Sequence, residues 1–250
     1  MVGTVKRPDQ GLREAQPSPV VLRSPCEACP VRPLSICSAL TIEELAHLER
    51  ILTKITVNAG APIFDEGELA AHRYNVTNGC ARIYKLLGDG RRQIIGFLFT
   101  GDFLGLANGE MYAYGAEAVA NCDLCRFPQR KLEDLVFRFP ALKTRLFGVA
   151  SNELAIAQDQ ILLLGRKRAK EKVATMLLML SKRAERRSMP DNPVFLPMIR
   201  EDIGDYLGLT TETVSRIITQ LKTKGVIRLE AGNNVRLLDI DALAAMSEGF

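Results

Sequence analysis

The feature that most constrains this 250-residue chain is a change of period at Phe139-Pro140. Before it, from about residue 55 to 128, come short runs rich in β-branched and aromatic residues (KITV, PIF, RYNV, ARIYKLL, QIIGFLF, AEAVANCDLCRF). They are broken by NAG, DEGE, TNG, GDG and TGD, and regularly spaced short strands with such turns predict an antiparallel sandwich or jelly roll. Lys85 to Phe99, centred on GDG, predicts a hairpin. After the junction, through about Gly165, Phe147, Ala150, Leu154, Ala157, Ile161 and Leu164 recur at spacings of three and four, which predicts one long helix with an unbroken apolar seam. A second stripe, Leu142, Leu146, Val149, Ile156 and Leu163, is free to pack inward on the sandwich. A helix with two apolar faces suits a dimer spine on a folded domain, so the first stripe is the expected dimer interface.

The remaining segments follow from their own patterns. Residues 1–24 mix Pro, Gly, Arg and Glu without periodicity and are expected to form a flexible arm. In TIEELAHLERIL, Thr41 is placed to cap a short helix, with Glu44 three residues on as a capping box requires. From Arg166 the chain is basic (RKRAKEK), then helical through KVATMLLMLSKRAERR, then loose at SMPDNP.

The segment MIREDIGDYLGLTTETVSRIITQLKTKGVIRLEAGNNVRLLD predicts helix, turn, helix and two short strands. Ile203 and Tyr206-Leu207 give the first helix its apolar side, Gly208 supplies the turn, and Thr210 is a good N-cap for the second. Val214, Ile217, Ile218 and Leu221 must be that helix's buried face, which leaves Glu212, Ser215 and Arg216 on the other side. Such residues suit base edges: arginine reaches guanine O6 and N7, a carboxylate accepts from cytosine N4, and a hydroxyl adapts to either. The VIRLEAGNNVRLL hairpin is then a wing, and the expected organisation is α+β. A cysteine loop plus jelly roll spans 25–139, a dimerisation helix 140–165, and a winged helix-turn-helix DNA-binding domain 166–250.

Charge supports this only weakly. The net charge is +4, yet within 197–250 six Lys/Arg face eight Asp/Glu. Phosphate contacts are therefore expected from Arg200, Lys222, Lys224 and the basic stretch 166–187, with two copies needed for useful affinity. The sequence has no GxxxxGK[ST], HExxH or GxSxG pattern, so an enzyme is not expected. No apolar run approaches a membrane span, the N-terminal segment has no signal-peptide core, and a cytoplasmic protein is expected. There, clustered thiols point to metal or redox chemistry, and CEACPVRPLSIC sets Cys26, Cys29 and Cys37 in a loop pinned by Pro25, Pro30 and Pro33.

The layout of jelly roll, long helix and winged helix-turn-helix, with TGDFLG in the roll and GLTTETVSR on the second helix, resembles the CRP/FNR family of bacterial transcription regulators, and its FNR branch in particular. The resemblance implies a homodimer on palindromic double-stranded DNA of the TTGAT-N4-ATCAA kind, read by Glu212, Ser215 and Arg216. It also implies contact of the hairpin tip, Gly88 to Arg91, with RNA polymerase. Cyclic-nucleotide binders of the family set an arginine in the sheet to meet the ligand phosphate. From Gln93 to Cys125 this chain has no Lys or Arg, so no cyclic nucleotide is expected.

FNR proteins carry an oxygen-labile [4Fe-4S] cluster on three N-terminal cysteines and one from the roll, which implies Cys26, Cys29 and Cys37 here. The C-x2-C-x7-C spacing departs from the C-x2-C-x5-C of the enteric type and is similar to the alphaproteobacterial branch. For the fourth ligand, Cys122 shares a strand side with Ala118, Ala120 and Leu124, whereas Cys125 shares one with Asn121 and Asp123 and is expected to face outward. The ending CRFP, matching the family's C-x-x-P, also selects Cys125, leaving Cys122 and Cys80 as buried small side chains. Spacing alone does not separate iron from zinc, since four thiolates bind either, and a metal-free thiol sensor is a further alternative. The implied mechanism is cluster loss to oxygen, dimer dissociation and release of DNA. The enteric type has an aspartate in the helix seam where this chain has Ala157, so its apo-dimer is expected to hold better.

Overall fold

The computed structural model describes residues 24–106, 109–187 and 190–249. The arm expected over 1–24 lies, up to residue 23, outside the described residues. After a 3-10 turn at Ile36–Ala39, Thr41 caps α1 (Ile42–Glu49) and Glu44 returns the bond to the Thr41 backbone, so the capping box forms as predicted.

Eight strands build the roll: β1 (Thr53–Val57), β2 (Pro62–Phe64), β3 (His72–Asn78), β4 (Cys80–Leu86), β5 (Arg92–Phe99), β6 (Phe103–Leu104), β7 (Gly115–Ala118) and β8 (Cys122–Pro128). They form two antiparallel sheets, β1-β8-β3-β6 and β2-β7-β4-β5. The predicted hairpin is β4–β5, with Leu86 opposite Arg92. AEAVANCDLCRF, read as one run, is divided: β7 lies in one sheet and β8 in the other. Even so, Ala118, Cys122 and Leu124 share the core between the sheets, because the chain crosses from one inner face to the other.

Helix α2 (Gln129–Arg138) precedes the junction, and α3 (Pro140–Arg166) begins with Pro140 in its first turn, where a missing N–H costs nothing. The C-terminal unit follows as α4 (Ala169–Arg186), β9 (Val194–Phe195), α5 (Arg200–Leu207), α6 (Thr211–Thr223), β10 (Ile227–Glu230), β11 (Asn234–Leu237) and α7 (Ile240–Glu248). Gly208 ends α5 in the left-handed region, φ 61°, which glycine adopts without strain. The wing pairs β10 with β11, and β9 joins it to make three strands.

The second stripe of α3 does not pack on the interior of the sandwich. Leu142, Leu146 and Val149 join a core on the outer side of the β1-β8-β3-β6 sheet, with Ile36, Leu40, Leu45, Leu48 and Phe127, while Leu163 packs into the C-terminal unit. Gln160, buried on the same face, donates to the Tyr206 carbonyl at 2.8 Å. Opposite, Phe147, Ala150, Leu154, Ala157 and Ile161 are exposed, Phe147 at 74% and Ile161 at 72%. Leu164, expected in that seam, is instead half-buried against the C-terminal core, 3.4 Å from where a Cβ on Gly208 would stand.

Candidate nucleic-acid interface and cysteine centre

Thr210 accepts from the Thr213 amide at 3.2 Å and starts α6, whose Val214, Ile217, Ile218 and Leu221 are buried as predicted. Glu212 and Arg216 are exposed and Ser215 half-buried, all on the face away from that core. Lys222 and Lys224 are exposed near the end of α6. Much of the basic stretch 166–187 is engaged elsewhere. Lys172 is buried and donates to the Leu207 carbonyl at 3.0 Å, Lys167 donates to Thr175 and to the Ser247 carbonyl, and Arg183 and Arg187 turn to Asp102. Arg166, Arg168, Lys170, Lys182 and Arg186 remain exposed for a polyanion.

The N-terminal cysteine segment folds over the outer face of β8. Cys26 and Cys125 lie in one apolar core with Cys37 packed against it. Cys125 thus points away from the sandwich interior, as expected, yet it is 9% exposed because that segment covers it. Cys122 and Cys80 are fully buried, and Cys122 Sγ donates to the Cys80 carbonyl at 3.0 Å. In the sheet Cys125 is flanked by Lys54 of β1 and Asn75 of β3. Asn75 is 2% exposed, donates through Nδ2 to Cys37 Sγ at 3.6 Å, and leaves its Oδ1 without a partner. No sequence pattern marked Asn75; only the strand pairing brings it beside both thiols.

Burial pushes the Cys26 thiol up to about 12, with Glu49 and then Cys37, Cys125 and Cys29 adding to it. Burial likewise raises Cys125 to about 11, with Cys37 and Cys29 adding and Lys54 opposing. The thiols therefore stand within electrostatic reach of one another, and burial makes Cys26, Cys37 and Cys125 resist ionising unless a cationic group relieves them. Among the described residues no three His, Cys, Asp or Glu side chains converge tightly enough to hold a metal ion. A single ion would draw its sulfurs to about 2.3 Å of one centre. A cuboidal cluster takes one sulfur for each of its irons, and four thiolates are the donor set it needs, so the chemistry of these residues fits such a group.

The cysteine segment also touches the rest of the fold. The Leu34 carbonyl accepts from Arg145 Nη2 of α3 at 2.8 Å, and the Leu34 side chain lies on Gly101 in the turn between β5 and β6. Between the two sheets Phe64 stacks on Tyr112 at 3.6 Å between centroids and lies 5.9 Å from Tyr74, so aromatic rings occupy the middle of the roll. Buried Arg73 of β3 is a cation that a count over residues 93–125 misses. Its Nη1 donates to the Ala70 and His72 carbonyls at 2.9 and 3.0 Å.

Residues 54–139 match the family model described as a cyclic nucleotide-binding domain, and residues 171–246 match that of a Crp-like helix-turn-helix domain. The transcriptional activatory protein AadR of Rhodopseudomonas palustris is 42% identical over 224 residues, 88% of this chain and 93% of that protein. The transcriptional activator protein FnrL of Cereibacter sphaeroides is 36% identical over 222 residues, 87% of this chain and 90% of that protein. The solved structure of FixK2 from Bradyrhizobium japonicum superposes with a TM-score of 0.73 at 37% identity, covering 78% of this chain and 97% of that one.

Proposed function

This chain belongs to the CRP/FNR family of DNA-binding transcription regulators, and on that premise we propose that it is an oxygen-responsive activator whose DNA-binding form is a homodimer held by a [4Fe-4S] cluster on Cys26, Cys29, Cys37 and Cys125. One observation carries the reading: the cysteine segment and the root of α3 share a single apolar core and a hydrogen bond, Arg145 to Leu34. When bound, the cluster supplies reactivity toward oxygen that protein side chains lack.

The chain's own residues do the rest. The four cysteines tie the N-terminal segment to β8, and Asn75 donates to the Cys37 sulfur. The tied segment presses Ile36 and Leu40 against Leu142, Leu146 and Val149, which fixes the first half of α3. The opposite face then presents Phe147, Ala150, Leu154, Ala157 and Ile161 to a second copy. Releasing the segment removes support from that half-helix, and a coupling of about 1–3 kcal/mol is enough to move the dimer equilibrium five- to 150-fold. Paired α6 helices would lay Glu212, Ser215 and Arg216 along two half-sites of a palindrome. We place the protein in the cytoplasm, with RNA polymerase meeting residues 88–91. The aromatic stack in the roll and the engagement of Arg73 favour a sensor that takes no cyclic nucleotide.

Anaerobic purification tests this directly. Brown protein with about four iron and four sulfide per chain, binding a TTGAT-N4-ATCAA duplex and losing it in air, is the expected result. Colourless protein with bound zinc, or a Cys125→Ser variant that keeps full anaerobic binding, overturns the oxygen reading and leaves the family assignment standing.

A further inference from the structure

Charged groups join the roll to the DNA-reading unit on two sides of one apolar contact. On the first side Asp202 of α5, 1% exposed, accepts from Arg82 Nη1 of β4 at 2.6 Å and Arg92 Nη2 of β5 at 3.1 Å. Arg92 Nε also reaches Asp205 at 3.0 Å, and Glu117 of β7 pairs with Arg82. On the second side Asp102, in the TGDFLG turn, accepts from the Phe99 amide at 2.8 Å, from Arg183 Nη2 of α4 at 2.9 Å and from Arg187. Between them Phe97 packs on Tyr206, 5.2 Å between centroids, and Arg183 Nη1 donates to the Phe97 carbonyl at 3.0 Å.

A carboxylate buried to this degree is costly unless paired, and both charged partners of Asp202 come from the other domain. The connection between α3 and α4 is only Lys167-Arg168, a joint about which the reading unit would otherwise turn. The contacts grip α4 and α5 while Glu212 and Arg216 on α6 stay exposed, so they orient the reading helix without covering it. We infer that Arg82, Arg92 and Asp102 are positioning residues for DNA recognition, fixing the angle at which each α6 is presented and hence the half-site spacing the dimer accepts. The inference rests on the DNA-binding dimer and is independent of what the cysteines hold.

The arginines also neutralise two carboxylates of a segment in which acidic residues outnumber basic ones, so charge compensation alone is the competing explanation. Asp202→Asn separates the two, since it breaks the clamp while removing negative charge beside the DNA. Full-length anaerobic dimers of the wild type, Arg92→Gln, Arg82→Gln and Asp202→Asn would be titrated by fluorescence anisotropy against palindromes with the preferred half-site separation and with one base pair more or fewer. Circular dichroism and sedimentation would verify folding and dimerisation, and the more exposed Arg92→Gln is the variant least disturbing to the fold. Wild type should discriminate between spacings by about tenfold or more, and each variant, Asp202→Asn included, should lose about tenfold at the preferred spacing and discriminate less. Unchanged spacing preference in Arg92→Gln, or tighter binding by Asp202→Asn with preference intact, overturns the inference. Binding by the wild type that is indifferent to air counts against the oxygen reading alone.

Discussion

Glu153 sits on the inward face of α3, where burial pushes its carboxyl above the usual carboxylate range, Asp102 adds to the effect and Arg183 opposes it. A folded pKa above the unfolded one means the folded state binds the extra proton, so stability falls as pH rises from about 4.3 through the raised value. The penalty is larger at pH 7 than at pH 5. Glu153→Gln should therefore raise the thermal midpoint by about 2–4 °C at pH 7 and by less at pH 5, measured by scanning fluorimetry at both. Gly101 is constrained differently: φ is +95°, and an added Cβ would lie 2.7 Å from Leu34 Cβ. Gly101→Ala should cost about 1–3 kcal/mol, and part of that should return in the double variant with Leu34→Gly, which removes the Cβ that the new methyl group strikes. At this scale the cysteines were legible because thiol spacing is written in the chain. Asn75 was not, because its role exists only through its pairing opposite Cys125.

Helix α3 has two faces with separate partners, and its outer face leaves Phe147, Leu154 and Ile161 between 61% and 74% exposed. Each such side chain is worth about 1.5–3 kcal/mol when fully buried, so a seam of three, with Ala150 and Ala157 allowing close approach, would contribute substantially to the proposed pair. Ile161→Asp sets like charges against each other and should give monomers by sedimentation at micromolar concentration, with operator affinity reduced at least about tenfold. Ala157→Asp should do the same only in cluster-free protein, while unsubstituted apo-protein keeps a measurable dimer fraction; wholly monomeric apo-protein would count against the seam. Both stripes were readable because a helix of this length repeats its period many times. Helix α2, of ten residues, and the two-residue β6 were not, since each is too short to show a period and is held by tertiary contacts. Leu164 followed the seam's spacing yet turned inward, because the C-terminal unit offers it a core at that level.

Where the sequence suggested a boundary between roll and C-terminal unit, one of the molecule's cores runs across it. Cys80, Ile94 and Phe97 of the roll pack in the same cluster as α4, α5 and α6, and the ion pairs flanking Phe97 link positions more than eighty residues apart. Fold class and reading helix were legible because each is a local pattern. The joining of the units was not, because a lone arginine on a strand carries no sign of which distant carboxylate it will meet. This arrangement makes unfolding cooperative: the reading unit cannot open without exposing Phe97 and stranding Asp202 unpaired. At fixed protein concentration, calorimetry should show one transition with calorimetric and van't Hoff enthalpies nearly equal. In Arg82→Gln/Arg92→Gln, Asp202 keeps its burial and loses both partners, a change worth about 3–5 kcal/mol for a buried pair, so the reading unit should melt first and split the transition in two. Two transitions in the wild type would mean that the units unfold independently, and one unshifted transition in the variant would mean that the apolar contact alone holds them together.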